Sequence, residues 1–221
     1  MFGIGRDPKL QDEIPPAPDS MPDGVIISPD TRREERIPPR QARTKKWPVL
    51  DASGPPYIDM ANWRFTVRGL VETPQEWTLA EFKKLPRVEV FADMHCVTRW
   101  SRLGNRWSGV STRAIVERIG VKPEAQFVVL YGYDSGWSTN LPLADFIAED
   151  CLFADLHDGQ PIDVEHGGPL RLVIPSLYAW KSAKWVRGLE FVEKDRPGFW
   201  ERGGYHMRGD PWKEERFREN W

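Results

Sequence analysis

The stretch HGGPLRLVIPSLYAWKSAKW, residues 166–185, joins a Gly-Gly pair, a short apolar run and two lysines three residues apart. Bounded by prolines, the run PLRLVIP reads as a buried strand with Arg171 inside it. Glycines ahead of it let the backbone pass close to a ligand, while arginine and lysine supply a planar fork and a point charge for a phosphate. Singly, these features are ordinary: lysines beside tryptophan make a solvated edge, and a histidine before Gly-Gly makes a turn. Together, His166, Arg171, Lys181 and Lys184 describe a cationic clamp for an anionic cofactor, built around a buried strand.

A second cationic stretch lies upstream. In MHCVTRWSRLGNRWSG, residues 94–109, Cys96 follows His95 and precedes Arg99, Arg102 and Arg106. A lone cysteine at a strand end is usually a small hydrophobe, but a positive field lowers a thiol pKa and holds the thiolate that acts as nucleophile or metal ligand. The segment VEVFADMHC reads as the strand that delivers Cys96, and STRAIVERIG as a helix capped by Ser111 or Thr112 and ended by Gly120. The stretch between them is expected to be a loop. Cys151, in EDCLFAD, has acids on both sides and reads as structural.

Working outward, WRFTVRGLV alternates Trp63, Phe65 and Val67 against Arg64, Thr66 and Arg68, a half-buried strand. TLAEFKKLP is a short helix with a Thr78–Glu81 capping box. QFVVLYGY and KWVRGLEFVEK read as further strands, and PLADFIAEDCLF as a short helix. Short helices among many strands make the class α+β. Residues 1–45 are Pro-rich and charged, an extended or mobile arm, and residues 46–221 are expected to form a single domain whose tail, from Pro197, wraps irregularly through Phe199, Trp200, Tyr205 and Trp212.

The 31 Lys+Arg against 33 Asp+Glu give a net charge of −2, which argues against nucleic acid as partner. Two cysteines cannot build a disulfide framework, no apolar h-region opens the chain, and no apolar run reaches the roughly 20 residues of a membrane span. A cytoplasmic location is the expectation. Zinc-finger and H-E-x-x-H spacings are absent, as are a P-loop and a G-x-G-x-x-G after a strand.

In order along the chain, HCVTRWS, WSGV at Trp107 to Val110, HGGPLRLVIPSLYAWKSAKW and PGFWERGGYHMRGDPW resemble the sulfite-oxidase-fold molybdopterin oxidoreductases. Within that family the blocks are most similar to the small bacterial sulfite oxidase-like proteins, and next to the catalytic subunit of the periplasmic methionine-sulfoxide reductase; the resemblance covers about residues 37–215. It implies a sulfite-oxidase-type molybdopterin-binding fold with mixed sheets and short helices. It also implies a molybdenum-molybdopterin cofactor whose only protein ligand to the metal is Cys96, with His95, Arg99 and Arg102 as pocket cations. The family's N-G-x-P-V-R pterin contacts fall on His166-Gly-Gly-Pro-Leu-Arg171, and its K-x-x-K phosphate block falls on Lys181, Ser182, Ala183 and Lys184. Asp134 and Ser135 lie where the family approaches the pterin, and Arg40 to Trp47 is a segment that could fold over the cofactor.

The chain departs from that pattern in places. Sulfite oxidases carry Asn-Arg three and four residues after the cysteine, where this chain has Arg99 and Trp100. Haem and immunoglobulin-like regions and a twin-arginine export signal are not recognisable, so electrons are expected to pass to or from a separate protein partner. The expected activity is oxygen-atom transfer to or from a small substrate, an S- or N-oxide or an oxyanion. Two rivals stand beside it. One is a metal-free cysteine-nucleophile transferase or hydrolase using His166 or His206 as base, since His95 and Cys96 diverge on a strand. The other is a non-catalytic carrier of the molybdenum cofactor that keeps the Arg171 and Lys184 clamp.

Overall fold

The computed structural model describes residues 16–134 and 136–218. In chain order the strands are β1 (Ile26–Ile27), β2 (Ala42–Arg43), β3 (Arg64–Gly69), β4 (Gln75–Thr78), β5 (Arg87–His95), β6 (Trp100–Ser111), β7 (Phe127–Gly132), β8 (Ser138–Pro142), β9 (Leu152–His157), β10 (Gln160–Pro161), β11 (Arg171–Val173) and β12 (Val186–Val192). Four short helices intervene: α1 (Leu79–Phe82), α2 (Thr112–Ile119), α3 (Leu143–Phe146) and α4 (Phe199–Arg202).

One sheet runs β1-β5-β6-β9-β10, with β11 also on β9 and β2 also on β6; the other runs β4-β3-β12-β7-β8. The pairs β1–β5, β2–β6 and β3–β12 are parallel and the remainder antiparallel, so both sheets are mixed and the class is α+β. The main core lies between the sheets: Phe65 of β3 stands 5.1 Å, centroid to centroid, from Phe153 of β9 and 4.6 Å from Phe82 of α1. A second apolar cluster covers the other face of the first sheet through Val90, Ala92, Met94, Cys96, Trp107 and Val173. Cys96 belongs to this second cluster.

Local signals act as read at several points. Thr78 Oγ1 accepts from the Glu81 amide and Glu81 returns the bond to the Thr78 amide at 2.9 Å, the reciprocal cap that starts α1. Gly120, at φ 63, takes the left-handed residue that ends α2.

Two expectations are corrected. Residues 100–111 are not a loop but the long central strand β6, paired with β5 on one side and β9 on the other. Where its register against β5 shifts, between Ala92 and Met94, β6 carries one extra residue between Arg102 and Asn105, so its alternation is broken and it carries no clean period to read. The predicted helix over PLADFIAEDCLF ends at Phe146, and Leu152–His157 forms β9. Leu152 to Asp155 are buried on both faces, and such a strand lacks the alternation that distinguishes strand from helix.

The described part of the arm lies along the first sheet; residues 1–15 are outside the described residues. Arg36 forks onto Asp93 at 2.7 and 2.9 Å, and Ser28 donates its amide to the Phe91 carbonyl and its hydroxyl to Asp150. From β2 the chain continues to Trp47 beside the site. Among the described residues, no helix is long and apolar enough to cross a membrane.

Candidate functional site

Strand geometry decides which side of the sheet Cys96 faces. Along β5, Met94 and then Cys96 point to the outer apolar cluster, while Phe91, Asp93 and His95 point to the opposite face, under the arm. A tight turn follows: the Arg99 amide donates to the Cys96 carbonyl, and the Cys96 amide to the Trp100 carbonyl, both at 2.9 Å. Arg99 closes it at φ 73, an uncommon conformation for a residue with a Cβ. Gln41, from the arm, donates to the Cys96 carbonyl at 3.0 Å, and the Thr98 hydroxyl donates to Cys96 Sγ at 3.2 Å.

The Cys96 residue is 7% exposed and opens onto a cavity shared with Arg171, Ser182, Ala183, Lys184, His166 and Asp134. Trp47, Pro48, Leu50, Asp51 and Ala52, leading out of the arm, form one wall, and Trp180, Trp200 and Tyr205 another. Seven residues expected from the sequence therefore meet at one cavity. Ser135 lies outside the described residues.

At the clamp end, β11 begins with Arg171, whose guanidinium donates to the carbonyls of His166 at 2.6 Å and Ser182 at 3.1 Å. The Trp47 and Trp107 rings lie 5.3 and 5.7 Å from it. Its Nε has no partner among the described residues, and burial brings its pKa down to about 10. Lys184 donates to the Glu165 carbonyl at 2.7 Å and stands 3.7 Å from Asp51; burial, then the Arg171 charge, lowers its pKa to about 8. The ring of His166 stacks on Trp47 at 4.0 Å, with Nε2 on the Trp47 carbonyl and Nδ1 on Asp163, each at 2.9 Å. Trp47 thereby ties the arm to the clamp. The Asp134 carboxyl is pushed up by burial, and its Oδ1 has no partner among the described residues.

A desolvated guanidinium with a spare N–H and a half-desolvated ammonium are costly without an anion. A soft sulfur at the same cavity suits a metal held by other soft ligands. The residues present thus fit a group that carries an anion at one end and a thiophilic metal at the other, and the unused acceptor of Asp134 fits the N–H edge of a pterin.

Of the expected site residues, His95, Arg99, Arg102 and Lys181 sit elsewhere. His95 lies on the opposite face of β5, hydrogen-bonded to Ser101 at 2.9 Å and lowered to about 4 by burial, so it is a neutral core residue rather than a pocket cation. Arg99 is exposed at the tip of the turn and does not line the cavity. Lys181, 0% exposed, places its ammonium 2.7 Å from Glu201 and 2.8 Å from the Asn140 carbonyl. Its side chain is a buried structural cation, not a phosphate contact.

The cationic field expected around Cys96 is also corrected. Arg102 pairs with Asp158 and Arg106 with Glu89, and burial pushes the Cys96 thiol up, opposed by the Thr98 hydrogen bond and the charge of Arg216. Sequence reading passed over Arg216 and read Tyr205 only as a staple of the tail, whereas Trp47 ends the segment expected to fold over the cofactor and does line the cavity.

A family model described as "Oxidoreductase molybdopterin binding domain" matches residues 52–200. The uncharacterized oxidoreductase YuiH of Bacillus subtilis is 52% identical over 183 residues, covering 82% of this chain and 92% of that protein. The putative protein-methionine-sulfoxide reductase subunit YedZ1 of Azospira oryzae is 31% identical, covering 69% of this chain and 57% of that one. Among solved structures, the sulfane dehydrogenase SoxCD of Paracoccus pantotrophus superposes with a TM-score of 0.59 at 25% identity, over 64% of this chain and 41% of that one. The matched span holds Cys96, Arg171 and Lys184 alike, and on this pattern the chain belongs to the molybdopterin-binding oxidoreductase family that includes the sulfite oxidase-like proteins.

Proposed function

We propose that this chain transfers an oxygen atom to or from a small substrate, using molybdenum-molybdopterin held between Cys96 and the Arg171–Lys184 clamp. One observation carries the reading: a single cavity brings together a soft sulfur and two desolvated cations, one of which has an unpaired N–H. When bound, the cofactor supplies a metal at which an oxygen atom and two electrons are exchanged. Cys96 would hold the metal, Arg171 and Lys184 the phosphate, and Asp134 the pterin's N–H edge. His166 fixes Trp47 as a lid over the clamp, excluding water from the charges beneath.

The walls beside Cys96 favour a neutral S- or N-oxide over an oxyanion. Thr98, Trp180, Trp200 and Tyr205 line the cavity beside Cys96, whereas Arg99 and Arg102, expected to draw an anion there, do not. YedZ1, named for a methionine-sulfoxide reductase, is similar over two thirds of this chain. Electrons would come from a separate protein partner.

The test is elemental analysis of protein purified from a host that makes molybdopterin, followed by turnover with artificial electron donors and acceptors. About one molybdenum per chain, with released pterin and S-oxide reduction, is the expected result. An apo protein carrying a reactive Cys96 would favour the metal-free nucleophile, and a loaded protein without turnover the carrier.

The clamp makes a pH prediction. Lys184 is charged below about pH 8 and neutral above it. Sulfate, which does not titrate in this range, should bind the cofactor-free chain about tenfold more weakly at pH 9.5 than at pH 7 by calorimetry. Lys184→Arg should flatten the profile.

A further inference from the structure

The turn that presents Cys96 is held from behind by two segments that lie outside the matched span of residues 52–200. Gln41, in the arm, takes the Cys96 carbonyl. Arg216, in the tail, donates from one guanidinium nitrogen to the Val97 carbonyl at 2.7 Å and from another to the Pro39 carbonyl at 3.4 Å. Consecutive carbonyls of one turn are thus fixed by opposite ends of the chain.

We infer that Arg216 is a positioning residue for the metal ligand: it locks the backbone beside Cys96 and holds its positive charge one residue from that ligand. This rests on Cys96 being the molybdenum ligand.

The guanidinium has few other calls on it. It lies 4.9 Å over the Tyr178 ring with its side chain 9% exposed, and among the described residues its Nε has no hydrogen-bond partner and its carboxylate contact, to Glu214, is 4.0 Å. The other cations near Cys96 in sequence are committed: Arg102 to Asp158, Arg106 to Glu89, and Arg99 exposed at the tip of the turn. The turn needs such a brace, because Arg99 holds it closed at φ 73.

A cation close to a metal's sulfur ligand favours the reduced, more negative state of the site, so removing it should shift the metal's reduction potential to more negative values. Arg216→Gln removes the charge and keeps a donor; Arg216→Lys keeps the charge and loses the fork. Both are made in the full chain, purified with cofactor, and followed by potentiometric titration of the paramagnetic molybdenum signal. Arg216→Gln should shift the potential negative, change the signal's shape and lower cofactor affinity by about tenfold or more. Arg216→Lys should restore most of the potential but not the shape. If Arg216→Gln does not fold, the Lys variant alone decides, through an altered signal at near wild-type potential.

Wild-type potential and signal shape in the variants that fold would overturn the inference and leave the reading of the site standing. A wild-type chain that binds no molybdenum, or binds it equally as Cys96→Ser, would overturn both.

Discussion

Cys96→Ser should abolish molybdenum binding, and lower oxygen-atom transfer at least about a hundredfold, while leaving the fold intact. Changes to groups that merely support a ligand cost about 10–100-fold, so loss of the ligand itself should exceed that range. Serine is close to cysteine in size, and a turn bonded through the Cys96 amide and carbonyl keeps its backbone contacts in the variant. What changes is the donor atom. A hydroxyl is harder and far less acidic than a thiol, and it does not replace thiolate on a metal that prefers sulfur. The measurement is the molybdenum-to-chain ratio with turnover of an S-oxide, beside the thermal unfolding curve. Retained metal and retained activity would remove Cys96 from the site, whatever the cavity looks like.

Lys181→Met should lower stability by about 3–5 kcal/mol without removing the cofactor site. The substitution strands the Glu201 carboxylate, itself 0% exposed, among Trp180, Thr139 and apolar neighbours. Breaking one side of a buried pair leaves an uncompensated charge, and that cost is what the variant exposes. For a chain of this length about 1 kcal/mol moves Tm by about 2–4 °C, so a fall on the order of 6–20 °C is expected. The double variant Lys181→Met/Glu201→Leu, which removes both charges, should recover most of the loss. This pair of measurements separates the structural role from the phosphate contact implied by the family's K-x-x-K block. A phosphate ligand would show normal Tm, lost cofactor and no rescue by the second substitution.

The three-residue spacing in KSAK shows why that assignment was illegible in sequence. A 3-10 turn over Ala179–Lys181 carries Lys181 inward to Asn140 and Glu201, while the bent backbone after it returns Lys184 to the cavity. Spacing records neighbourhood along the chain, and a change of backbone conformation between two residues reverses their directions. His95 failed for the opposite reason: alternation along β5 correctly sent it away from Cys96, and identity as a histidine says nothing about the face it occupies. The cations beside Cys96 in sequence found carboxylates of β5 and of the residue after β9, Glu89 and Asp158, that sit next to them only because β6 pairs with both strands.

The sequence by itself determined what depends on local pattern and on residue chemistry. It determined the alternation of β3, the Thr78–Glu81 cap, the glycine stop of α2, the α+β class, and a sulfur and a cationic clamp far apart along the chain. The tertiary structure decided which groups share the cavity and which are spent elsewhere. It turned residues 100–111 into a central strand, brought Trp47 from the arm and Tyr205 from the tail to the walls, and placed Arg216 behind the Cys96 turn. Those outcomes rest on pairing and packing between residues that are not neighbours in the chain, as in β6 with β9 and Arg216 with Val97, and the free energy of such contacts is set by burial and by partner.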